Sequence, residues 1–216
     1  MVGNKNMSRI LELYAKLLEQ SKAGDGTERF INDTFVTEEY NSVFPQLTII
    51  DAGAYQGDFS FACLPFAKII YAFEPDPRPF KVFKSTVDKF GFKKKIKYSN
   101  EALAATTEER VLLATGFGGS RLMAGGEAAN ESDKTLVSTI SLVDVFNKHK
   151  IKQVDIFKID IEGGEDEIIR SREFPELSKK IKVIIGEHLA PVDGLLKELG
   201  YSAKVINNNT LYERQS

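Results

Sequence analysis

LTIIDAGAYQG, residues 47–57, places a short apolar run directly before an acidic residue and two glycines. The apolar run 47–50, rich in β-branched residues, predicts a buried strand. The glycine-containing segment 51–57 predicts a tight loop, and the apolar residues of 59–66 predict a helix. In an open α/β sheet, a loop between a strand and the next helix lies at the carboxyl edge, where such folds bind ligands. We therefore expect this loop to line a binding site.

The same pattern is repeated along the chain, which predicts an α/β fold with a parallel sheet. A second apolar strand is predicted at 68–73, a helix at 79–90 and a third strand at 96–98. Further strands are predicted at 154–161 and 182–187, with helices at 142–149, 165–170 and 192–199; Ser141 can cap the first of these helices. Continuous apolar strands that alternate with helices indicate a sheet that is covered on both faces.

Three regions depart from this alternation. Residues 110–114 and 136–140 are predicted short strands around a Gly-rich polar stretch, and we expect 116–134 to be a mobile lid. The segments 201–206 and 210–212 predict a terminal hairpin. Residues 1–46 are predicted to form a separate N-terminal helical cap, with an amphipathic helix at 8–20, ahead of the main domain at 47–216.

Composition limits the classes of function. The 216 residues carry a net charge of −2, so there is no overall basic excess that would indicate a nucleic-acid partner. The single cysteine, Cys63, excludes an intramolecular disulfide and any zinc site built on several thiolates. Because no apolar run approaches 18 residues and the N-terminus is polar, we expect a cytoplasmic protein without a membrane span.

Two acidic residues follow the first two predicted strands. The loop at 51–57 lacks the G-x-G-x-x-G spacing, since position 55 is Tyr, and Asp51 would repel a phosphate but attract a cationic amino group. Glu74, directly after the second strand, can accept both hydroxyl hydrogens of a ribose. Together they predict an adenosine with a cationic amino-acid tail, S-adenosylmethionine, with Glu101 and Ala102 flanking the adenine. The alternatives are glycines that serve only the turn, and Glu74 or Glu101 as solvated surface acids.

Charged residues also end two later strands. Lys158, Asp160 and Glu162 alternate, so their side chains project to one side. Glu187 and His188 close the following strand at the same edge. These groups predict either a substrate or metal site, with one of them as a proton acceptor, or a salt-bridged strand end with a structural histidine. The carboxylates are also suited to hold Mg²⁺.

Several motifs together make the sequence similar to the FkbM-type S-adenosylmethionine-dependent methyltransferases of the class I fold. The motifs are IDAGAYQGD at 50–58, AFEPD at 72–76, GS at 119–120, FKIDIEGGE at 157–165 and EH at 187–188. The resemblance covers roughly residues 47–190, and the sequence departs from the usual pattern at Tyr55 and Gly164. It implies a Rossmann-like, mostly parallel seven-stranded sheet that ends in an antiparallel hairpin.

The resemblance also implies O-methylation of a hydroxyl on a sugar, glycolipid or polyketide-like small molecule. The expected cofactor-binding residues are Asp51, Gly53, Ala54, Tyr55, Gly57, Glu74, Pro75, Glu101, Ala102 and Asp160. Ser120 and Lys158 are expected to bind the acceptor, and the base is sought among Asp160, Glu162, Glu187 and His188. The other possibility is a non-catalytic module that keeps the fold and binds a cofactor or a protein. The sequence does not predict an oligomeric state.

Overall fold

Neighbouring residues of the central strands point to opposite faces of one sheet, and both faces are covered. The computed structural model describes residues 46–115, 119–124, 127, 129–206 and 209–215. Ile49 packs in one buried cluster and Ile50 in another, and Ile156 and Phe157 divide in the same way. This alternation confirms the α/β sandwich that the apolar strands predicted.

Within the described residues, the main sheet has seven strands. They are β1 (Leu47–Ala52), β2 (Ala67–Phe73), β3 (Ile96–Ser99), β8 (Val154–Ile159), β9 (Ile181–Gly186), β10 (Tyr201–Ile206) and β11 (Asn209–Arg214). Their order across the sheet is β10-β11-β9-β8-β1-β2-β3. The five strands from β9 to β3 in this order are parallel, whereas β11 runs antiparallel to both β9 and β10. The predicted sheet and its terminal hairpin are both confirmed.

Six described α-helices cover the sheet. They are α1 (Asp58–Cys63), α2 (Pro77–Lys89), α3 (Leu142–His149), α4 (Glu165–Ile169), α5 (Phe174–Ser178) and α6 (Asp193–Glu198). Phe61 of α1 and Phe83 of α2 pack in one cluster, while Phe146 of α3 and Phe174 of α5 pack in the cluster on the opposite face. The Ser141 hydroxyl accepts a hydrogen bond from the Asp144 N–H at 3.1 Å, as the predicted helix cap requires. No described helix is long and apolar enough to cross a membrane.

A second, four-stranded sheet replaces much of the predicted irregular region. Its strands are β4 (Ala102–Ala104), β5 (Glu109–Leu113), β6 (Arg121–Leu122) and β7 (Lys134–Ser141), in the order β4-β7-β5-β6. The prediction missed β4 and β6, and it was wrong to treat 116–134 wholly as a loop, because β6 pairs with β5 there. Residues 116–118, 125, 126 and 128 lie outside the described residues, so the mobility of the lid stays a prediction. The predicted cap, apart from Gln46, also lies outside them.

The loop after β1 lies directly against the end of β8. Gly53 has φ +76°, and a Cβ atom added there would lie 1.8 Å from the carbonyl oxygen of Asp160. This position therefore requires glycine both for its backbone angle and for the space. Gly91, which follows α2, has a similar φ of +73°, but a Cβ atom added at Gly91 would meet nothing within 4 Å.

We predict that Gly53→Ala destabilises the protein far more than Gly91→Ala. Both substitutions force alanine into a left-handed conformation, at a cost of about 1–2 kcal/mol. Gly53→Ala adds a main-chain collision, worth about 1–3 kcal/mol or more. Urea unfolding of the two variants measures the difference, and equal losses in the free energy of unfolding would show that the contact between β1 and β8 is not tight.

Candidate active site

A cavity of about 400 Å³ lies at the carboxyl edge of the main sheet, a size usual for small-molecule sites. One wall is formed by the loop after β1, the end of β2 and the loop after β8. Residues of the second sheet form another wall. The lining residues that matter below are Gly53, Ala54, Tyr55, Asp58, Glu74, Pro75, Ala102, Leu103, Arg110, Ser120, Lys158, Asp160, Glu162 and Glu167.

Glu74 connects the ends of β1 and β2. Its carboxylate accepts hydrogen bonds from the N–H groups of Tyr55, at 2.7 Å, and Asp76, at 2.8 Å. The side chain is only 6% exposed, and this burial raises the pKa of Glu74 to about 7, although the two N–H donors act in the opposite direction. The structure therefore places a carboxylate with a raised pKa against the glycine loop.

Asp51 and Lys158 form a buried ion pair behind the loop. Asp51 is completely buried, and it accepts a hydrogen bond from the Ser60 hydroxyl at 2.6 Å. The Lys158 Nζ lies 3.5 Å from Asp51 Oδ1 and 3.5 Å from Asp160 Oδ2, and it donates to the Gly53 carbonyl at 2.6 Å. Lys158 lines the cavity, whereas Asp51 is not among the lining residues. The cationic neighbour of Asp51 in the structure is thus a residue of the chain itself.

Asp58, in the first turn of α1, is the acidic group that the sequence interpretation left without a role. It lines the cavity and is 8% exposed, and its Oδ1 makes no hydrogen bond with any described residue. Burial, followed by the nearby Asp51 charge, raises the pKa of Asp58 to about 6. Its position directly after Gly57, in the loop that opens α1, was the signal in the sequence that could have identified it.

The loop after β8 carries Asp160 and Glu162 into the cavity wall. Glu162 has a positive φ of 58°, and the buried Glu165 holds this loop by accepting from the N–H groups of Ile161 and Gly163, each at 2.9 Å. Burial raises the pKa of Glu162, and the neighbouring Asp160 adds to the effect. Glu165 is therefore a positioning residue, which the sequence interpretation quoted only as part of a motif.

Glu187 and His188 are exposed and are not among the lining residues, although His188 Nε2 lies 3.9 Å from Glu162 Oε2. Of the four candidate bases, Asp160 and Glu162 therefore line the cavity, whereas Glu187 and His188 lie outside it. Their assignment as catalytic groups stays a prediction.

Of the other residues that were predicted to bind the cofactor, some line the cavity and some do not. Ala102 lines the cavity, but Glu101 is bound to the Ser99 hydroxyl and to Lys148. Gly57 supports the loop, with φ +95° and the Phe83 ring against it, and is not among the lining residues.

Ser120 lines the cavity, and its hydroxyl donates to Asp76 at 2.7 Å. Arg110 of β5, to which the sequence gave no functional role, pairs with Glu167 at 3.0 Å, and both line the cavity. Because this pair joins two distant elements, only the fold reveals it.

The main sheet is Rossmann-like and ends in an antiparallel hairpin, and a ligand-sized cavity lies at the ends of its first strands. These features define a class I methyltransferase fold. The model of the methyltransferase FkbM domain family matches residues 51–202. The chain belongs to this family, which confirms the resemblance.

A solved structure agrees with this fold. The FkbM methyltransferase from Methylobacillus flagellatus KT has a TM-score of 0.55 at 12% identity, covering 97% of this chain and 59% of that protein. This chain therefore spans less than two thirds of the length of that relative. No curated protein matches by sequence.

Two more distant structures have TM-scores below 0.5. Precorrin-6y C5,15-methyltransferase from Geobacter metallireducens GS-15 gives 0.47 at 14% identity, with 83% of this chain and 86% of that chain covered. TrmK from M. capricolum, in complex with S-adenosyl-homocysteine, gives 0.43 at 14% identity, with 85% and 69% covered.

We predict that the burial of Glu74 makes the stability of the free protein depend on pH. With a pKa of about 7 when folded and 4.5 as the ordinary value, the folded state retains this proton over a range where the unfolded chain has lost it. Wild type should therefore lose up to about 3 kcal/mol relative to Glu74→Gln as the pH rises from about 4.5 to 7.

Urea unfolding of both proteins between pH 4.5 and pH 8 measures this difference. A constant difference in the free energy of unfolding would mean that Glu74 is ionised throughout, contrary to the raised pKa.

Proposed function

We propose that the protein is an S-adenosylmethionine-dependent O-methyltransferase that acts on a hydroxyl of a sugar, glycolipid or polyketide-like small molecule. The observation that carries the proposal is the buried Glu74 carboxylate, fixed against the loop after β1 at the edge of a ligand-sized cavity. Membership of the FkbM family supports methyl transfer as the reaction.

The adenosine half of the cofactor fits the β2 and β4 side of the cavity. Each Glu74 oxygen already accepts one backbone N–H, and a carboxylate oxygen has a further lone pair that can accept from a ribose hydroxyl. Ala102 and Leu103 supply an apolar surface suited to a purine ring.

The amino-acid half requires a negative environment. S-adenosylmethionine, when bound, supplies a methyl group on a positively charged sulfonium, and it also carries an ammonium group. Asp58 is a buried lining carboxylate whose Oδ1 makes no hydrogen bond with any described residue, and a cationic ligand would offset the cost of keeping it ionised. We therefore assign the ammonium to Asp58, with Asp160 as the second carboxylate on this side of the cavity.

Glu162 is the proposed proton acceptor for the hydroxyl of the acceptor molecule. It lines the cavity, and its raised pKa brings it closer to the operating range of a general base. Lys158 keeps Asp160 and the Gly53 carbonyl in place, and it also lines the cavity, where we propose that it contacts an oxygen of the acceptor. Ser120, on the side of the second sheet, is a further proposed acceptor contact.

Magnesium gains no support from the arrangement of side chains. Among the described residues, no group of three His, Cys, Asp or Glu side chains is arranged to hold a metal ion. The proposal therefore assigns no ligands to a metal.

Replacing Asp58 should weaken binding of S-adenosylhomocysteine but not of 5′-methylthioadenosine, which lacks the amino-acid part. Loss of a hydrogen bond to a charged group costs about 1.5–3 kcal/mol, which corresponds to roughly 10- to 150-fold in affinity. Because the pKa of Asp58 is about 6 in the free protein, wild-type affinity for S-adenosylhomocysteine should rise between pH 5 and pH 7.

Calorimetry with both ligands on wild type and Asp58→Asn tests this assignment. The variant should lose the rise in affinity that is specific to S-adenosylhomocysteine, whereas an effect of Glu74, whose pKa is about 7, is shared by both ligands and both proteins. Equal effects of the substitution on both ligands would contradict it. If wild type binds neither ligand at millimolar concentration, the proposed function itself is wrong.

Replacing Glu162 by Gln should lower turnover by about 10²- to 10⁴-fold, the usual loss on removal of a positioned base. Glu198→Gln makes the same chemical change at an exposed position at the end of α6, outside the cavity lining, and serves as the control. The assay measures methyl transfer from S-adenosylmethionine to a panel of glycosides, glycolipids and small polyols.

Near-native turnover of Glu162→Gln would remove Glu162 from the mechanism. Cofactor binding without transfer to any member of the panel would favour the non-catalytic module.

A further inference from the structure

One side of the molecule carries a concentration of positive charge that the net charge of the chain conceals. Residues 78–97 contain eight cationic side chains and one carboxylate, a net charge of +7, which leaves −9 for the rest of the chain. The cations are Arg78, Lys81, Lys84, Lys89, Lys93, Lys94, Lys95 and Lys97. We call their common surface, formed by α2, the 3₁₀ turn Phe92–Lys94 and the edge strand β3, the basic face.

The fold directs these cations outward. Pro79, Phe83 and Val87 form the buried stripe of α2, so the helix must present its lysines on the opposite side. Seven of the eight cations are exposed. The eighth, Lys95, is half-buried and donates to the Leu64 carbonyl.

Part of this charge is neutralised locally, because Arg78 pairs with Asp76 at 3.2 Å. Asp88 is the only carboxylate within residues 78–97; Lys84 and Lys93 lie 3.2 and 3.0 Å from it, and Tyr98 donates to it. Within the described part of the chain, neither Lys81 nor Lys94 forms an ion pair. The basic face therefore has positive charge available for an external partner.

The apolar side chains on this face favour one kind of anionic partner, a lipid bilayer, over a nucleic acid. Val82 is 45% exposed among the lysines, and the rings of Phe90 and Phe92, which stack on each other, are partly exposed beside them. Apolar groups between lysines gain free energy at the headgroup boundary of a bilayer, but gain little against a phosphate backbone. Seven of the eight cations are lysines rather than the arginines that recognise bases and phosphates in a bidentate manner.

We propose that the basic face docks the protein on an anionic lipid bilayer. Clusters of four to eight basic residues on a helix are typical of binding to anionic lipids. The face begins beside the cavity, because Arg78 is next to Pro79, which lines it. Docking would therefore keep the cavity near the membrane surface, which fits a lipid-linked acceptor, but the binding itself does not depend on methyl transfer.

Vesicle co-sedimentation of the full chain tests the proposal. Pure phosphatidylcholine vesicles should bind little protein, and vesicles with 30% phosphatidylglycerol should bind it at 50 mM NaCl and release it at 500 mM. Each lysine near an anionic surface contributes about fivefold in affinity, the equivalent of about 1 kcal/mol. The double variant Lys81→Gln/Lys94→Gln should therefore bind about 25-fold more weakly.

Lys152→Gln/Lys204→Gln is the matched control. It removes the same charge from exposed positions outside the basic face, and Lys204 lies on β10, at the opposite edge of the main sheet. The control should bind like wild type, and thermal melts should show that both variants are folded.

Equal losses in the two variants would mean that only overall charge, or another segment, is involved, and would overturn the proposal. Absence of binding to anionic vesicles would also overturn it. Binding to a 20-nucleotide RNA without binding to vesicles would reassign the face to nucleic acid.

Discussion

The close approach of the loop after β1 to the end of β8 is the constraint on which the cavity depends. Gly53 leaves no room for a side chain against the Asp160 carbonyl, and Lys158 reaches back from β8 to donate to the Gly53 carbonyl. This contact sets the distance between the loop after β1, which leads to Asp58, and the loop after β8, which carries Asp160 and Glu162. With Tyr55 donating to Glu74, it ties the tips of β8, β1 and β2 into one rigid edge.

The edge concentrates buried acidic side chains. Asp51, Asp58 and Glu74 are all buried, and the single positive charge of Lys158 lies 3.5 Å from both Asp51 and Asp160. Asp58 and Glu74 have raised pKa values because burial disfavours their ionised forms. Such a site is costly in the free protein and suited to a cationic ligand, which is the stability trade-off common at binding sites.

The sequence predicted the elements that have strong local signals. The apolar strands, the Ser141 cap and the terminal hairpin follow from runs of buried residues and turn residues, and the structure confirms them. The strands β4 and β6 were missed because three and two residues are too short for a period to be detected. Composition likewise averages charge over the whole chain, so the net −2 gave no sign of the basic face.

The sequence predicted which loops form the candidate site, but not which of their side chains face the cavity. Asp51 and Glu74 were both expected to face the ligand, but the structure places Lys158 beside Asp51 and leaves Asp58 in the lining. Which carboxylate faces inward depends on how α1 begins after Gly57, and spacing along the chain does not contain that information. The pairing of Arg110 in β5 with Glu167 in α4 is likewise a consequence of tertiary structure alone.

A crystal structure of the protein with S-adenosylhomocysteine tests the central claim most directly. The account predicts the ribose hydroxyls within hydrogen-bonding distance of Glu74 and the ammonium group within hydrogen-bonding distance of Asp58. A ligand bound with its ribose away from Glu74, or bound outside this cavity, would contradict it.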